Sequence, residues 1–278
     1  MIKSILIPTD GSTGSQTALD YGLYFAALFR AEITGLNVID IRALEGPFLS
    51  DISGSLGFTP FQNYFPKFQK ILEDRGNVIL DDFKNRCSEK SFQPKLKRMS
   101  GVIANVIAEE AKRVDLVVIA QRGEHEQWST GLLGSTTDSV VRKSPRPVLV
   151  TPNTFREIKN VLVAYDGSTE ANKALKTACE HFADKKIQFR IAFVTGDEDK
   201  RKKLTDEVNE FISPYQVKCE IETLEGDAAE EILNYSEQTH TDLIVMGAFG
   251  HSRLRDLILG GTTAFIIRNA SIPVLLER

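Results

Sequence analysis

The sequence predicts an α/β protein of two tandem doubly wound domains, each a mainly parallel five-stranded sheet with helices on both faces. Three observations lead there. Four landmarks recur in one order in the two halves of the 278-residue chain, short apolar runs alternate with helix-period segments, and glycines cluster just beyond the apolar runs. Lys3-Ser4-Ile5-Leu6-Ile7-Pro8-Thr9-Asp10-Gly11-Ser12 returns as Lys159-Asn160-Val161-Leu162-Val163-Ala164-Tyr165-Asp166-Gly167-Ser168. Val114-Asp115-Leu116-Val117-Val118-Ile119-Ala120 returns as Thr241-Asp242-Leu243-Ile244-Val245-Met246-Gly247. Leu132-Leu133-Gly134-Ser135-Thr136-Thr137 returns as Ile258-Leu259-Gly260-Gly261-Thr262-Thr263, and each half closes on Pro-Val-Leu, at Pro147 and Pro273. Such a repeat means two copies of one folding unit.

The elements follow in order. Ile5–Pro8 and Val161–Ala164 are continuous apolar runs bounded by turn residues, as expected of strands buried on both faces. Asp-Gly-Ser then opens a helical pattern carried by Ala18, Leu19, Gly22, Leu23, Ala26 and Ala27. Ile33–Ile39 and Gln188–Val194 read as second strands, Glu73–Cys87 and Lys200–Ile212 as charged amphipathic helices, and Leu96–Met99 and Glu220–Leu224 as third strands. Gly101 and Gly226 suit the turns that follow. Helices from about Ile103 and Ala229 lead to fourth strands at Leu116–Ala120 and Leu243–Gly247, and helices from about Thr136 and Thr262 lead to the last strands. Alternation of this kind implies a parallel, doubly wound sheet whose ligands sit beyond the carboxyl ends of the strands. The first half carries an insertion of about 30 residues between Asp40 and Gly101. Its stretch Leu44–Pro66, with Gly, Pro, Ser and Phe, reads as a long loop or lid rather than a strand or regular helix. The domains are expected at residues 1–152, with the insertion at about 41–75, and 157–278, joined near Pro152-Asn153-Thr154.

Composition narrows the function. With 34 Lys and Arg against 38 Asp and Glu, the net charge is −4, which gives no basic field for nucleic acid or an anionic membrane. The apolar runs are strand-sized, far short of the roughly 20 residues of a membrane span. Cys87, Cys179 and Cys219 share no CxxC spacing, and His125, His181 and His240 share no metal-ligand spacing. The chain opens directly in a strand pattern without a signal-peptide layout, so a cytoplasmic location is expected.

Chemistry concentrates in two glycine-rich elements. Met246-Gly247-Ala248-Phe249-Gly250 is followed after nine residues by Gly260-Gly261-Thr262-Thr263. Ala120-Gln121-Arg122-Gly123 is followed after ten by Gly134-Ser135-Thr136-Thr137. Glycines let the backbone approach a phosphate closely, and helix-start amides suit an anion. Thr262 and Thr263 offer hydroxyls or helix caps, and Arg122 a counter-charge. His251, after Gly250, reads equally as a phosphate contact or a solvated side chain; Trp128, in the first glycine loop, packs over the site or merely shields the loop. Lys200-Arg201-Lys202-Lys203 reads as a solvated helix end. Asp10 and Asp166 suit either a ligand or the turn and cap after the first strand. No Gly-x4-Gly-Lys-[Ser/Thr] loop and no Gly-x-Ser-x-Gly elbow occur, which excludes P-loop and α/β-hydrolase chemistry. Nor does any Ser-Gly-Gly-x-Asp-Ser or His-x-Gly-His loop of the adenylating enzymes occur.

On these motifs the chain resembles a tandem universal stress protein: Asp-Gly-Ser after strand one, Gly-x2-Gly-x9-Gly-[Ser/Thr] after strand four, and closing Pro-Val-Leu strands. The resemblance spans nearly the whole chain, except roughly residues 41–75. It implies an adenine nucleotide-binding stress-response module, regulatory or signalling, with ATP or another adenine nucleotide as cofactor, with or without Mg. By motif match it places ribose and adenine near Asp10 and Asp166, and adenine against the backbone of Val38 and Val194. It places ribose and phosphates at Gly247, Gly250, Gly260 and Thr262–Thr263 in the second half, with Gly261 and His251 beside them, and at Gly123, Gly134, Ser135 and Thr136 in the first. It further implies that Val148–Val150 and Val274–Leu276 pair the halves as an intramolecular pseudo-dimer, with a further homodimer and a protein partner left open. Each copy departs from the pattern. The first has Ala120 for the first glycine and an extra residue before Gly134; the second has Gly261 where Ser or Thr is expected. Two pockets of unequal quality are therefore expected. The alternatives are an interaction scaffold that has drifted from nucleotide use, and an ATPase of slow, incidental turnover.

Overall fold

The computed structural model describes residues 2–41, 61–123, 133–182, 187–248 and 260–278. The first half runs β1 (Ser4–Pro8), α1 (Thr13–Phe29), β2 (Glu32–Asp40), α2 (Phe61–Glu89), β3 (Lys95–Gly101), α3 (Ile103–Ala111), β4 (Leu116–Ala120), α4 (Ser135–Lys143) and β5 (Val148–Thr151). The second runs β6 (Asn160–Ala164), α5 (Thr169–Phe182), β7 (Gln188–Val194), α6 (Glu198–Ile212), β8 (Cys219–Leu224), α7 (Ala228–Gln238), β9 (Leu243–Gly247), α8 (Gly261–Asn269) and β10 (Val274–Glu277).

The strands form one sheet in the order β3-β2-β1-β4-β5-β10-β9-β6-β7-β8. Within each half every pairing is parallel, and the order reverses direction between β1 and β4 and between β6 and β9. The two halves meet where β5 and β10 pair antiparallel, Leu149 opposite Leu275. That pairing consumes one edge of each half-sheet, which would otherwise present unpaired amides and carbonyls. Strand alternation then divides the core: Ile5, Ile7, Val161 and Val163 pack on one face, and Leu6 and Leu162 on the other.

The connection between halves is stitched to α1. Thr17 Oγ1 donates to the Asn153 carbonyl at 3.1 Å, Tyr21 Oη to Thr154 at 3.2 Å, and Tyr24 Oη to Ile158 at 3.3 Å. Helices α1 and α5 also touch across the junction, with the Phe25 and Phe182 ring centres 6.2 Å apart. Among the described residues no helix is long and apolar enough to cross a membrane.

One expectation is corrected. Leu44–Pro66 reads in the sequence as loop, yet α2 already starts at Phe61. Residues 61–65 contain no glycine, and Pro66, in the second turn of α2, removes one helix hydrogen bond, a local loss that the long helix continuing to Glu89 absorbs. Extending a formed helix is also far easier than nucleating one. Ile79 of α2 and Leu204 of α6 lie against Gly11 and Gly167, so Glu73 corresponds to Glu198, and the turns of α2 before it have no counterpart. Residues 42–60 of the expected loop lie outside the described residues.

Candidate functional site

The site is built where β1 and β6 run out. Asp10 Oδ1 accepts from Ser12 N at 3.0 Å and Ser12 Oγ at 2.6 Å, and Asp166 Oδ1 accepts from Ser168 N at 2.9 Å. Between them the chain reverses through Gly11 and Gly167, with φ of 82° and 80°, a conformation a side chain resists. Ser12 and Ser168 then cap the helices, their hydroxyls accepting from Ser15 N at 3.2 Å and Ala171 N at 3.1 Å. One oxygen of each aspartate therefore serves the turn.

In the second half the expected residues come together. A cavity of about 230 Å³ opens at the carboxyl ends of β6, β7 and β9, and Asp166, Val194, Gly247, Gly260, Thr262 and Thr263 all line it. Its apolar wall includes Phe193, Met246 and Ile266. At one end stands α8, whose N-cap Gly260 supplies no side-chain acceptor, so the first amides of the helix keep their donors for another partner. Thr263 has a narrower role: it is buried, and its hydroxyl donates to the Gly247 carbonyl at 3.5 Å, locking helix to strand. Gly261 is exposed, and among the described residues nothing lies within 4 Å of a Cβ placed there. Gly250 and His251 lie outside the described residues, as do His125 and Trp128.

The first half brings its expected residues together in part. A Cβ on Gly123 would lie 2.6 Å from Asp10 Oδ2, so these two residues are neighbours. Gly134 donates its N–H to the Gln121 carbonyl at 3.0 Å, and Thr137, the counterpart of Thr263, donates to Ala120 at 2.7 Å. Ser135 is exposed; Thr136 and Val38 are half-buried. Where the second half has buried Phe193, the first has buried Asn37, whose Nδ2 donates to the Thr9 carbonyl at 2.9 Å.

Three polar cavity residues are not among the expected site residues: Tyr165, Ser168 and Lys200. Burial pushes the Tyr165 phenol up to about 12, reinforced by the charges of Glu207 and Asp166, so it stays a neutral donor. Its hydroxyl lies 2.9 Å from Asn172 Oδ1. The sequence signal for Tyr165 is its place beside Asp166; Lys200 carries none, since it reads as part of a solvated cationic run.

The universal stress protein family profile matches residues 1–152 and 157–278. This chain belongs to the universal stress protein family. It is 30% identical over 287 residues to universal stress protein Slr1230 of Synechocystis, covering 100% of both chains. Universal stress protein MJ0531 of Methanocaldococcus jannaschii is 29% identical over 163 residues, 56% of this chain and 86% of its own length. Among solved structures, a universal stress protein from Archaeoglobus fulgidus superposes with a TM-score of 0.77 at 22% identity, over 99% of this chain and 96% of that one. The α/β fold with its mostly parallel sheet is thus shared over the whole chain with the Archaeoglobus structure, and the chain carries two Usp domains.

Proposed function

We propose that the chain binds an adenine nucleotide, ATP or AMP, in the second-half cavity, and that a protein partner reads the liganded state in a stress response. One observation carries the reading: six residues singled out by motif converge on a single cavity. Its chemistry is graded as a nucleotide needs. Phe193, Val194 and Met246 offer an apolar face to a base, Asp166 an acceptor for ribose hydroxyls, and the open amides of α8 donors for phosphate. Magnesium would arrive on the phosphates, since the described residues gather no group of three or more His, Cys, Asp or Glu for a metal. We take residues 1–152 and 157–278 as the two units, and the first-half residues Asp10, Val38, Gly123, Gly134, Ser135 and Thr136 as the weaker pocket. Three free cysteines support a cytoplasmic setting.

The test is thermal unfolding with and without nucleotide. ATP or AMP at a hundredfold excess over Kd stabilises by about 2.7 kcal/mol through mass action. Gly260→Val is expected to fold, because among the described residues a Cβ there meets nothing nearer than Thr263 Oγ1 at 3.8 Å, yet to block the cavity and erase the shift. No shift with any adenine nucleotide up to millimolar concentration, and no nucleotide released from the purified protein on denaturation, would leave the scaffold reading, which the β5–β10 pairing favours.

A further inference from the structure

Lys200 belongs to the wall of the second-half cavity, although the sequence reads it as part of a solvated run. It lies one turn before Leu204, the residue that packs against the positive-φ Gly167. Arg75 holds the same place in the first half, one turn before Ile79, which packs against Gly11. Helices α2 and α6 differ in length, 29 and 15 residues, and in sequence, yet both set a long cationic side chain at this point.

The position does the helix no favour. Cations in a first turn oppose the helix macrodipole. Two of its neighbours are neutralised along the helix, Arg201 by Glu198 at 3.8 Å and Lys203 by Glu207 at 3.7 Å. Among the described residues the Lys200 ammonium forms no ion pair, while its backbone N–H stays fixed to the capping Asp197 at 3.1 Å. The cavity it faces is otherwise hostile to anions, because Asp166 lines it and Glu207 bears on the adjoining Tyr165. Lys200 also enters from the face opposite α8. Leu204 and Val208 of α6 pack on one side of the sheet, and Ile266 and Ile267 of α8 on the other.

We propose that Lys200 is a specificity-determining residue of this cavity, its ammonium pairing with a phosphate held against the open amides of α8, so that phosphorylated adenosine is preferred over the bare nucleoside. The inference rests on the nucleotide reading above. Helix amides on one side and a flexible ammonium on the other form a two-sided anion clamp, and the lysine offsets the charge of Asp166.

Calorimetric titration of the full chain with adenosine, AMP, ADP and ATP tests it. Affinity rises along that series in the wild type. Lys200→Gln lowers ATP affinity by about tenfold and leaves adenosine unchanged, Lys200→Glu lowers it further, and Lys200→Arg retains it. Thermal unfolding without ligand is unchanged in Lys200→Arg and equal or slightly higher in Lys200→Gln and Lys200→Glu, because the side chain is exposed and its charge opposes the helix macrodipole. Undiminished ATP binding in Lys200→Gln overturns the assignment and leaves the nucleotide reading standing. So does an equal loss for adenosine and ATP. A wild type that binds none of the four overturns both.

Discussion

Ala120 and Gly247 end equivalent strands, Gly14 and Glu170 open equivalent helices, and in each half one member of the facing pair is glycine. A Cβ on Gly14 would lie 2.6 Å from the Arg122 carbonyl oxygen and 3.1 Å from the Ala120 Cβ. A Cβ on Gly247 would lie 2.8 Å from the Glu170 Cβ and 2.9 Å from Ala171 N. The helix after strand one thus packs too closely on the end of strand four for both partners to carry a side chain. The first half puts the glycine on the helix, and the second puts it on the strand. Ala120 thus marks the half in which the packing demand is met from the helix side.

Breaking the arrangement should produce the largest effect. Gly247→Ala is expected to destabilise by about 1–3 kcal/mol, the usual cost of overpacking, because the atoms it meets include backbone. Adding Glu170→Gly copies the first half and should recover part of that loss. The two changes are expected to be non-additive by about 1 kcal/mol or more, measured as urea midpoints of the four proteins in the cycle. Strict additivity would mean that the two glycines answer different demands.

The same pair shows what was legible in the sequence. Buried parallel strands read as unbroken apolar runs, so the succession of strands and helices within the repeat, the Asp-Gly-Ser turns and the closing strands at the junction were all open to inspection. Gly247 was legible as a special position, but not the neighbour that requires it, since Glu170 comes within reach only after folding. Tyr165, Phe193 and Lys200 share this limit: they reach the cavity from one face of the sheet while Met246 and Ile266 reach it from the other, a layering no local pattern encodes. The early start of α2 was hidden by Pro66, which reads as a helix breaker in the sequence but sits in the second turn of a 29-residue helix that continues past it.

A second equivalence lies at the opposite end of the strands. Asp115 Oδ2 accepts from Lys3 N at 2.8 Å, Ser4 N at 3.0 Å and Ser4 Oγ at 2.9 Å, tying the start of β1 to β4. Asp242 accepts from Lys159 N at 3.0 Å, Asn160 N at 2.9 Å and Asn160 Nδ2 at 3.2 Å. Either Asp→Ala change is expected to cost about 1–2 kcal/mol, since it strands donors at a strand start. Burial alone would raise the Asp115 carboxyl, but the bonds from Lys3 and Ser4 outweigh it and hold the group below its ordinary value of 3.8. A depressed carboxyl stabilises fully above its unfolded value, and that stabilisation is lost as the pH falls through the folded value. Asp115→Asn should accordingly flatten the acid limb of the stability curve below about pH 4. An unchanged acid limb would show that the bonds are replaced by water without loss.

The smallest effect separates the last strands themselves. β5 ends in buried Thr151, a neutral side chain bonded within the sheet, whereas β10 ends in Glu277, only 7% exposed. Burial pushes the Glu277 carboxyl above its ordinary 4.5; Thr177 and Lys173 pull it back, and Glu180 opposes them. A carboxyl raised by folding favours the native state below its unfolded value, and this advantage disappears as the pH climbs through the folded value. At neutral pH the second half thus carries a desolvated charge that the first half avoids. Glu277→Gln keeps an oxygen to accept from Thr177 Oγ1, now 2.6 Å from Glu277 Oε1, and removes that charge. It is expected to gain a few tenths to about 1 kcal/mol at pH 7 and nothing below pH 4, read from urea midpoints across pH. A loss at pH 7 would instead mean that Lys173 more than compensates the carboxylate, and that the ionic ending of β10 holds the junction more firmly than the neutral ending of β5.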